Sequence, residues 1–112
     1  MLKKNVLRRK SDFTNIYKKG KSVGDRYVVV FFRKNGLPYK RMAFLASKKV
    51  GNSVKRNRAR RLMKESFRLT DLILPEGYDY IFIARNTITD AKCADVKRSL
   101  ESAIKRTGVI KK

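Results

Sequence analysis

The middle of the 112-residue chain reads Lys48-Lys49-Val50-Gly51-Asn52-Ser53-Val54-Lys55-Arg56-Asn57-Arg58-Ala59-Arg60-Arg61-Leu62-Met63-Lys64-Glu65. From about Ser53 to Leu74 the apolar residues recur at a helical spacing, and the stripe they form consists of Ala59, Leu62, Met63, Ser66 and Phe67. Residues three and four positions apart share one side of a helix, so this spacing predicts an amphipathic helix with one face on a core. Pro75 and Gly77 then end it.

Strand-like segments lie on both sides of this helix. Arg26–Arg33 and Arg41–Ser47 are rich in β-branched, aromatic and other apolar residues, and Asn35–Pro38 between them has turn chemistry. These two strands are therefore predicted to form an antiparallel hairpin. Tyr78–Arg85, after the helix, has the same composition and is predicted to be a third strand.

Two further helices are predicted near the ends of the chain. Ser11–Gly20 reads as a short helix with Ser11 as its N-cap, and a last helix runs from about Thr89 or Asp90 to Thr107 and closes at Gly108. The element order is then αββαβα. This order predicts one α+β domain over residues 1–112, with a small, mainly antiparallel sheet covered by helices and one βαβ crossover.

The charge balance indicates the partner. Thirty Lys and Arg residues against nine Asp and Glu give a net charge of +21, while 42% apolar residues suffice for a modest core. So much charge of one sign favours a polyanion as partner, and nucleic acid releases counterions when a basic protein binds it. No apolar run approaches the length of a membrane span, and Met1–Lys10 lacks the apolar segment of a signal peptide. We therefore expect a cytoplasmic protein.

Several kinds of catalysis are excluded by composition. The chain has no histidine, which removes Ser-His-Asp triads, Cys-His pairs and the common zinc motifs. Cys93 is the only cysteine and is interpreted as a small core residue. No paired-carboxylate cluster is evident in the sequence. We therefore expect neither a catalytic residue nor a metal site on this chain.

The polar side of the central helix carries a dense set of cations. At 100° per residue, the face opposite the apolar stripe carries Asn57, Arg60, Arg61, Lys64 and Arg68. Arg56 and Arg58 lie on the flanks of this polar face. Guanidinium groups on one rigid helix suit phosphate, because each can engage two oxygens. The alternative is a solvated charged face, which the density and single sign of the charges disfavour.

Aromatic residues form a second candidate surface. Phe13 and Tyr17 are one helical turn apart, and Tyr27, Val29 and Phe31 share one face of the first predicted strand. Exposed rings beside cations can stack on the bases of single-stranded nucleic acid. The same rings could equally be core. The opposite face of that strand, Val28, Val30 and Phe32, would serve as core in either case.

The motif Lys48–Val54, followed by Arg56-Asn57-Arg58 and Arg60-Arg61, resembles the signature of the bacterial ribonuclease P protein component, and the likeness extends over nearly the whole chain. It implies an accessory subunit whose partner RNA catalyses removal of the 5′ leader from precursor tRNA, with a left-handed crossover in the fold. The residues expected to bind the catalytic RNA are Lys48, Lys49, Asn52, Arg56, Asn57, Arg58, Arg60, Arg61, Lys64 and Arg68. Glu65 departs from this pattern by placing a carboxylate within the basic helix.

The same resemblance implies a cleft for the single-stranded leader between the first helix and the sheet. The residues expected to line it are Phe13, Tyr17, Tyr27, Phe31, Lys48 and Arg85. Mg²⁺ is expected to be held mainly by the catalytic RNA and the substrate phosphates, and no obligate protein partner is evident. Two alternatives stay open: a structural RNA-binding protein with no part in cleavage, and a metal-dependent nuclease acting alone, which would need a carboxylate cluster.

Overall fold

The computed structural model describes residues 6–7 and 9–110, so the expectation that no signal peptide precedes the fold falls largely outside the described residues. The elements are the helices α1 (Lys10–Lys19), α2 (Ser53–Leu69) and α3 (Cys93–Thr107), and the strands β1 (Lys21–Gly24), β2 (Val28–Lys34), β3 (Arg41–Ala46) and β4 (Tyr78–Ala84). A short 3₁₀ helix, Asn86–Asp90, precedes α3. The predicted α+β class is confirmed.

The four strands form one sheet in the order β1-β2-β4-β3. β2 is antiparallel to both β1 and β4, whereas β3 runs parallel to β4. The predicted hairpin between the second and third strands is therefore wrong, because β4 lies between them. β4 is buried at most positions on both of its faces, which suits a central strand, and the α2 crossover makes β3 and β4 parallel. The left-handed sense of that crossover stays a prediction.

Strand β1 was not expected from the sequence. Lys21-Ser22-Val23-Gly24 has little strand composition, and it pairs along the outer edge of β2. Gly20 makes this possible, since a Cβ there would lie 2.5 Å from the Ile16 carbonyl oxygen and 2.7 Å from that of Phe32. The chain can therefore turn from α1 into the sheet only because residue 20 has no side chain.

Three predicted helix ends differ from the structure. Ser11 lies inside α1, whose N-cap is Arg9. α2 ends at Leu69, because Thr70 adopts an extended conformation. Leu74, the predicted end of this helix, lies in the loop that follows and its side chain is buried. α3 begins at Cys93 rather than at Thr89 or Asp90. The predicted ends of β4 and α3 are confirmed to within one residue.

Helices α2 and α3 cover one face of the sheet. Val28, Val30, Tyr80 and Phe82 are fully buried there, and the predicted core role of the Val28, Val30 and Phe32 face is confirmed. From α2, the buried stripe residues Ala59 and Met63 pack on the same core. We call this the sealed face.

Helix α1 covers the opposite face only in part. Leu7, Ile16, Ala43 and Ile81 form a small buried cluster there. Phe13, Phe31, Leu45 and Ile83 pack around it but keep part of their surface exposed. We call this the open face.

A group of charged residues fixes α1 to the open face. Arg41 donates to both carboxylate oxygens of Asp79, at 2.8 and 2.7 Å, and its third nitrogen reaches Asp12 of α1 at 3.3 Å. Asp79 is only 5% exposed and also accepts from the Asn35 amide at 2.9 Å. The hydrogen bonds that Arg41 donates to Asp79, together with the negative charge of Asp79, raise the pKa of Arg41 above its usual value. The bidentate pair fixes the Arg41 side chain between β3 and β4, and the remaining bond from Arg41 to Asp12 links α1 to the sheet.

Candidate RNA-binding surfaces

A short turn leads from β3 into α2 and sets the start of the basic surface. Val50 is buried, and the Asn52 side chain caps α2 by accepting a hydrogen bond from the Lys55 amide at 3.0 Å. Gly51 has φ 143°, which favours glycine. Asn52, expected to bind RNA, thus has its side-chain oxygen engaged in the cap. The turn holds Lys48 and Lys49 exposed beside the helix start.

The cations of α2 fall into two groups. Several pair within the helix: Arg60 with Asn57, Arg56 with Ser53, and Arg68 with Glu65. Four of the cations expected to bind RNA have exposed side chains with no hydrogen bond or ion pair to any residue that the structure describes; they are Arg61 and Lys64 of α2, and Lys48 and Lys49 of the turn before it. This second group, which we call the free cations, offers the most accessible phosphate ligands.

Glu65 and Arg68 neutralise each other. Hydrogen bonds from Arg68 hold the pKa of the Glu65 carboxyl below its usual value, and the same pairing raises the pKa of Arg68. Both side chains are exposed. The carboxylate that departs from the basic pattern therefore offsets one neighbouring charge rather than interrupting the helix.

Arg58 has a structural role that the sequence did not reveal. Its guanidinium donates to the carbonyl oxygens of Thr89, at 3.1 Å, and Ala91, at 3.0 Å. These bonds fasten α2 to the segment that enters α3. A guanidinium has five N–H donors, so those remaining can still contact RNA. Arg58 therefore links α2 to the segment before α3.

Phe13, Tyr17 and Phe31 come together on the open face, and we call them the aromatic group. The ring centroids of Tyr17 and Phe31 are 5.0 Å apart in an edge-on contact, and those of Phe13 and Tyr17 are 6.5 Å apart. Tyr17 is 42% exposed, while Phe13 and Phe31 are half-buried against the small cluster. The rings border a core and also face solvent, so they are accessible to a base, and their stacking on nucleic acid stays a prediction.

Tyr27 does not join the aromatic group. Its side chain packs against the core of the sealed face, and its backbone amide donates to the Ser99 hydroxyl of α3 at 3.2 Å. Alternation along Tyr27, Val29 and Phe31 suggested one shared face, but β2 begins only at Val28. Tyr27 is therefore outside the regular alternation of the strand.

Lys48 and Arg85 lie at one end of the sheet. Ala46 of β3 is opposite Ala84 of β4, so the residues that follow these strands emerge side by side. Both cations are exposed, and Arg85 donates to the Asp25 carbonyl oxygen at 3.1 Å. The structure thus brings the two predicted phosphate contacts to the same end of the sheet.

An apolar row that the sequence analysis missed connects this end to the aromatic group. Val29, Ile83 and Leu45 are opposite one another across β2, β4 and β3, and all three are partly exposed. The row lies one pleat away from Phe31. Strand alternation could have indicated Val29 and Ile83, but their adjacency depends on the unexpected central position of β4.

Other site chemistry is sparse in the described part of the chain. Within residues 6–7 and 9–110, no three His, Cys, Asp or Glu side chains lie close enough to hold a metal ion. Cys93 is half-buried, with its sulfur 3.5 Å from the Ser66 hydroxyl. None of the described helices combines the length and the apolar character needed to cross a bilayer.

The fold and its two surfaces define a class: a small, strongly basic α+β protein with a cationic helix and a partly uncovered aromatic sheet face, features typical of RNA binding. Comparison with known proteins identifies the family within this class. The sequence model of the Ribonuclease P family matches residues 1–108. Proteins named ribonuclease P protein component are similar throughout: that of Pelotomaculum thermopropionicum is 42% identical over 94% of both chains, and that of Clostridioides difficile is 43% identical over 92% of this chain and 91% of its own.

Solved structures agree. The Staphylococcus aureus RNase P protein superposes with a TM-score of 0.84 at 34% identity, covering 97% of this chain and 100% of its own. The Thermotoga maritima protein gives 0.78 at 34% identity, covering 95% and 97%. The chain belongs to the ribonuclease P protein family, the protein components of a ribonucleoprotein nuclease that processes tRNA. The resemblance found in the sequence is thereby confirmed, and with it an RNA partner.

Proposed function

We propose that this chain binds the ribonuclease P catalytic RNA and the 5′ leader of precursor tRNA at the same time, on two separate surfaces. The observation that carries the proposal is their arrangement. α2 packs its apolar stripe on the sealed face and turns its polar side outward, while the aromatic group lies on the opposite, open face. Apart from Lys48, which borders both surfaces, one surface can therefore be occupied without blocking the other.

The catalytic RNA would bind the polar side of α2. The free cations Lys48, Lys49, Arg61 and Lys64 are exposed along the turn and the helix, with Arg58 beside them. Each phosphate they neutralise would release condensed counterions, which supplies affinity without sequence preference. This surface would thus provide docking.

The leader would bind the open face. The aromatic group offers rings for unpaired bases, the apolar row extends from it, and Lys48 and Arg85 stand at the end of the sheet as phosphate contacts. Mature tRNA has no leader, so this interaction is available only with the precursor. The protein would thereby favour substrate over product and position the scissile phosphate.

Catalysis would belong to the RNA subunit. Mg²⁺ would be bound by that RNA and the substrate phosphates, because several carboxylates of this chain already pair with cations, namely Asp12 and Asp79 with Arg41, Asp25 with Arg106, and Glu65 with Arg68. Among residues 6–7 and 9–110, no three His, Cys, Asp or Glu side chains come together to hold the metal. The protein free of RNA should accordingly hydrolyse no RNA. Cleavage would take place in the cytoplasm.

A cleavage assay tests this proposal directly. A bacterial ribonuclease P RNA would be incubated with precursor tRNA at low Mg²⁺, with and without this protein, and binding of precursor and mature tRNA would be measured in parallel. We expect the protein to restore cleavage and to increase the preference for the precursor. A structural RNA-binding protein would bind RNA without any such preference, which would contradict the proposal.

A further inference from the structure

A second cationic cleft lies at the other end of the sheet, away from Lys48 and Arg85. It is bounded by the α1–β1 turn, the last residues of β2, the first residue of β4 and the end of α3. We call it the distal cleft, and its lining consists of Lys19, Gly20, Lys21, Phe32, Arg33, Lys34, Tyr78, Thr107, Gly108 and Val109. Four of these residues are cations, contributed by three elements.

The charge of the distal cleft is not balanced within the described structure. The side chains of Lys19, Lys21, Arg33 and Lys34 have no hydrogen bond or ion pair to any residue described, and no carboxylate is among the lining residues. The neighbouring cleft between the β1–β2 loop and α3 differs. There Arg98 pairs with Asp95 at 2.8 Å, and Asp25 faces the same space. Of these two clefts, the distal cleft is the one left without a negative charge in its lining.

The backbone that carries these cations is constrained. Gly20 passes so close to the Ile16 and Phe32 carbonyl oxygens that the backbone between Lys19 and Lys21 has little freedom. Lys34 is opposite Tyr78 at the end of the β2–β4 ladder. Positive charges that lie close together repel one another and destabilise the folded state. A bound anion would remove this repulsion, so the cleft favours an anionic ligand.

The distal cleft is close to the aromatic group along the chain. Lys19 follows Tyr17 by two residues, and Arg33 follows Phe31 by two residues in β2, a distance of about 7 Å along a strand. The aromatic group therefore lies between Lys48 and Arg85 at one end of the sheet and this cleft at the other. Phe32, Lys34 and Tyr78 belong to the sealed-face side of β2 and β4, so a single strand that crosses the open face from the first end would reach the cleft by turning around the end of the sheet.

We propose that the distal cleft binds phosphates of the 5′ leader beyond the nucleotides that contact the aromatic group. The inference rests on the proposed function, since it extends the path of the same strand. A docking site for the catalytic RNA is the competing occupant. The position of the cleft argues against it, because the cleft borders β1, whereas the turn into α2 follows β3 at the opposite edge and opposite end of the sheet.

The test uses the holoenzyme assembled with a bacterial ribonuclease P RNA and precursor tRNAs whose leaders lengthen one nucleotide at a time. The variant Lys21→Gln/Lys34→Gln removes two exposed cations of the cleft, and Arg98→Gln/Lys105→Gln, a control with the same change of charge, removes two exposed cations of α3, of which Arg98 pairs with Asp95. The affinity of the wild-type holoenzyme for precursor tRNA should rise when the leader reaches the aromatic group, and it should rise a second time when the leader is long enough to reach the distal cleft. The cleft variant should lack this last increase, a loss of several-fold, and its salt dependence for long leaders should be shallower by about 1.4.

The outcomes separate the two proposals. Wild-type holoenzyme without any preference for precursor tRNA would overturn the proposed function and this inference together. A wild-type preference that the cleft variant reproduces at every leader length would overturn the inference alone. So would an equal loss in the control variant, or a loss of affinity for the catalytic RNA in place of the loss for long leaders.

Discussion

The two faces of the sheet are built from alternate residues of the same strands, yet they differ in how completely they are covered. On the sealed face Val28, Val30 and Phe82 are fully buried under two helices, whereas on the open face Phe31 and Ile83 stay partly exposed beside one short helix. Burial on the first face supplies the free energy of folding. The open face can keep apolar surface exposed for a ligand, because burial on the sealed face already stabilises the fold.

The largest effect is expected on the sealed face. Replacing Phe82 with Ala should reduce the free energy of unfolding by about 3–5 kcal/mol, because a fully buried ring leaves a cavity. Denaturant titration measures this loss. The matched change Phe31→Ala on the open face should cost clearly less, since that ring is only half-buried. Equal losses would show that both faces contribute alike to stability.

The open face should instead control leader recognition. Tyr17→Ala should reduce the preference of the holoenzyme for precursor over mature tRNA by about 1–3 kcal/mol, the value of one lost base stack, with little change in melting temperature. Tyr17→Phe keeps the ring and should keep the preference. If Tyr17→Ala weakens binding of both tRNAs equally, the ring does not contact the leader.

A pair of arginines on α2 sharpens the comparison between folding and binding. Arg58→Ala removes two hydrogen bonds to the carbonyl oxygens of Thr89 and Ala91 and should lower stability by about 1 kcal/mol. Arg61→Ala removes a side chain without a partner among the described residues, so it should leave stability unchanged. It should make the salt slope of RNA binding shallower by about one unit. The reverse pattern, with Arg61 the destabilising change, would contradict these assignments.

The smallest effect concerns Asp25, which joins the β1–β2 loop to α3. Burial opposes its ionisation, but hydrogen bonds from the Arg26 amide, Ser99, Ser102 and Arg106 outweigh burial and hold its pKa below the usual 3.8. A lowered pKa means that the stabilisation is present above about pH 4 and is lost as the pH falls through the folded-state pKa.

Asp25→Asn should therefore lower the melting temperature slightly at neutral pH, and the difference from wild type should shrink as the solution is acidified below pH 4. Melting curves between neutral and acidic pH measure this. A difference that is constant over that range would show that ionisation of Asp25 does not contribute to stability.

Features that depend on local spacing were predictable from the sequence. The stripe from Ala59 to Phe67, the strand around Val30 and the αL closure at Gly108 all follow from periodicity or from a single backbone requirement. Their residues interact within a few positions along the chain. The basic polar side of α2 follows from the same spacing.

Features that depend on distant partners were not predictable. The hairpin prediction failed because the neighbour of β2 is Tyr78–Ala84 rather than the next strand in sequence. The tie made by Arg58 reaches carbonyl oxygens more than thirty positions away. The four cations of the distal cleft are likewise dispersed in sequence and converge only when α1, β1 and β2 assemble.

The central position of β4 has a consequence for synthesis. β2 and β3 leave the ribosome before β4, yet β4 is the strand that pairs with both of them. Until Ala84 has emerged, β2 has one unpaired edge and β3 has no strand beside it, and contacts between such distant segments form slowly. A nascent chain halted before Tyr78 would expose apolar strand edges of the kind that associate between chains, so this protein should depend on prompt completion of its own translation.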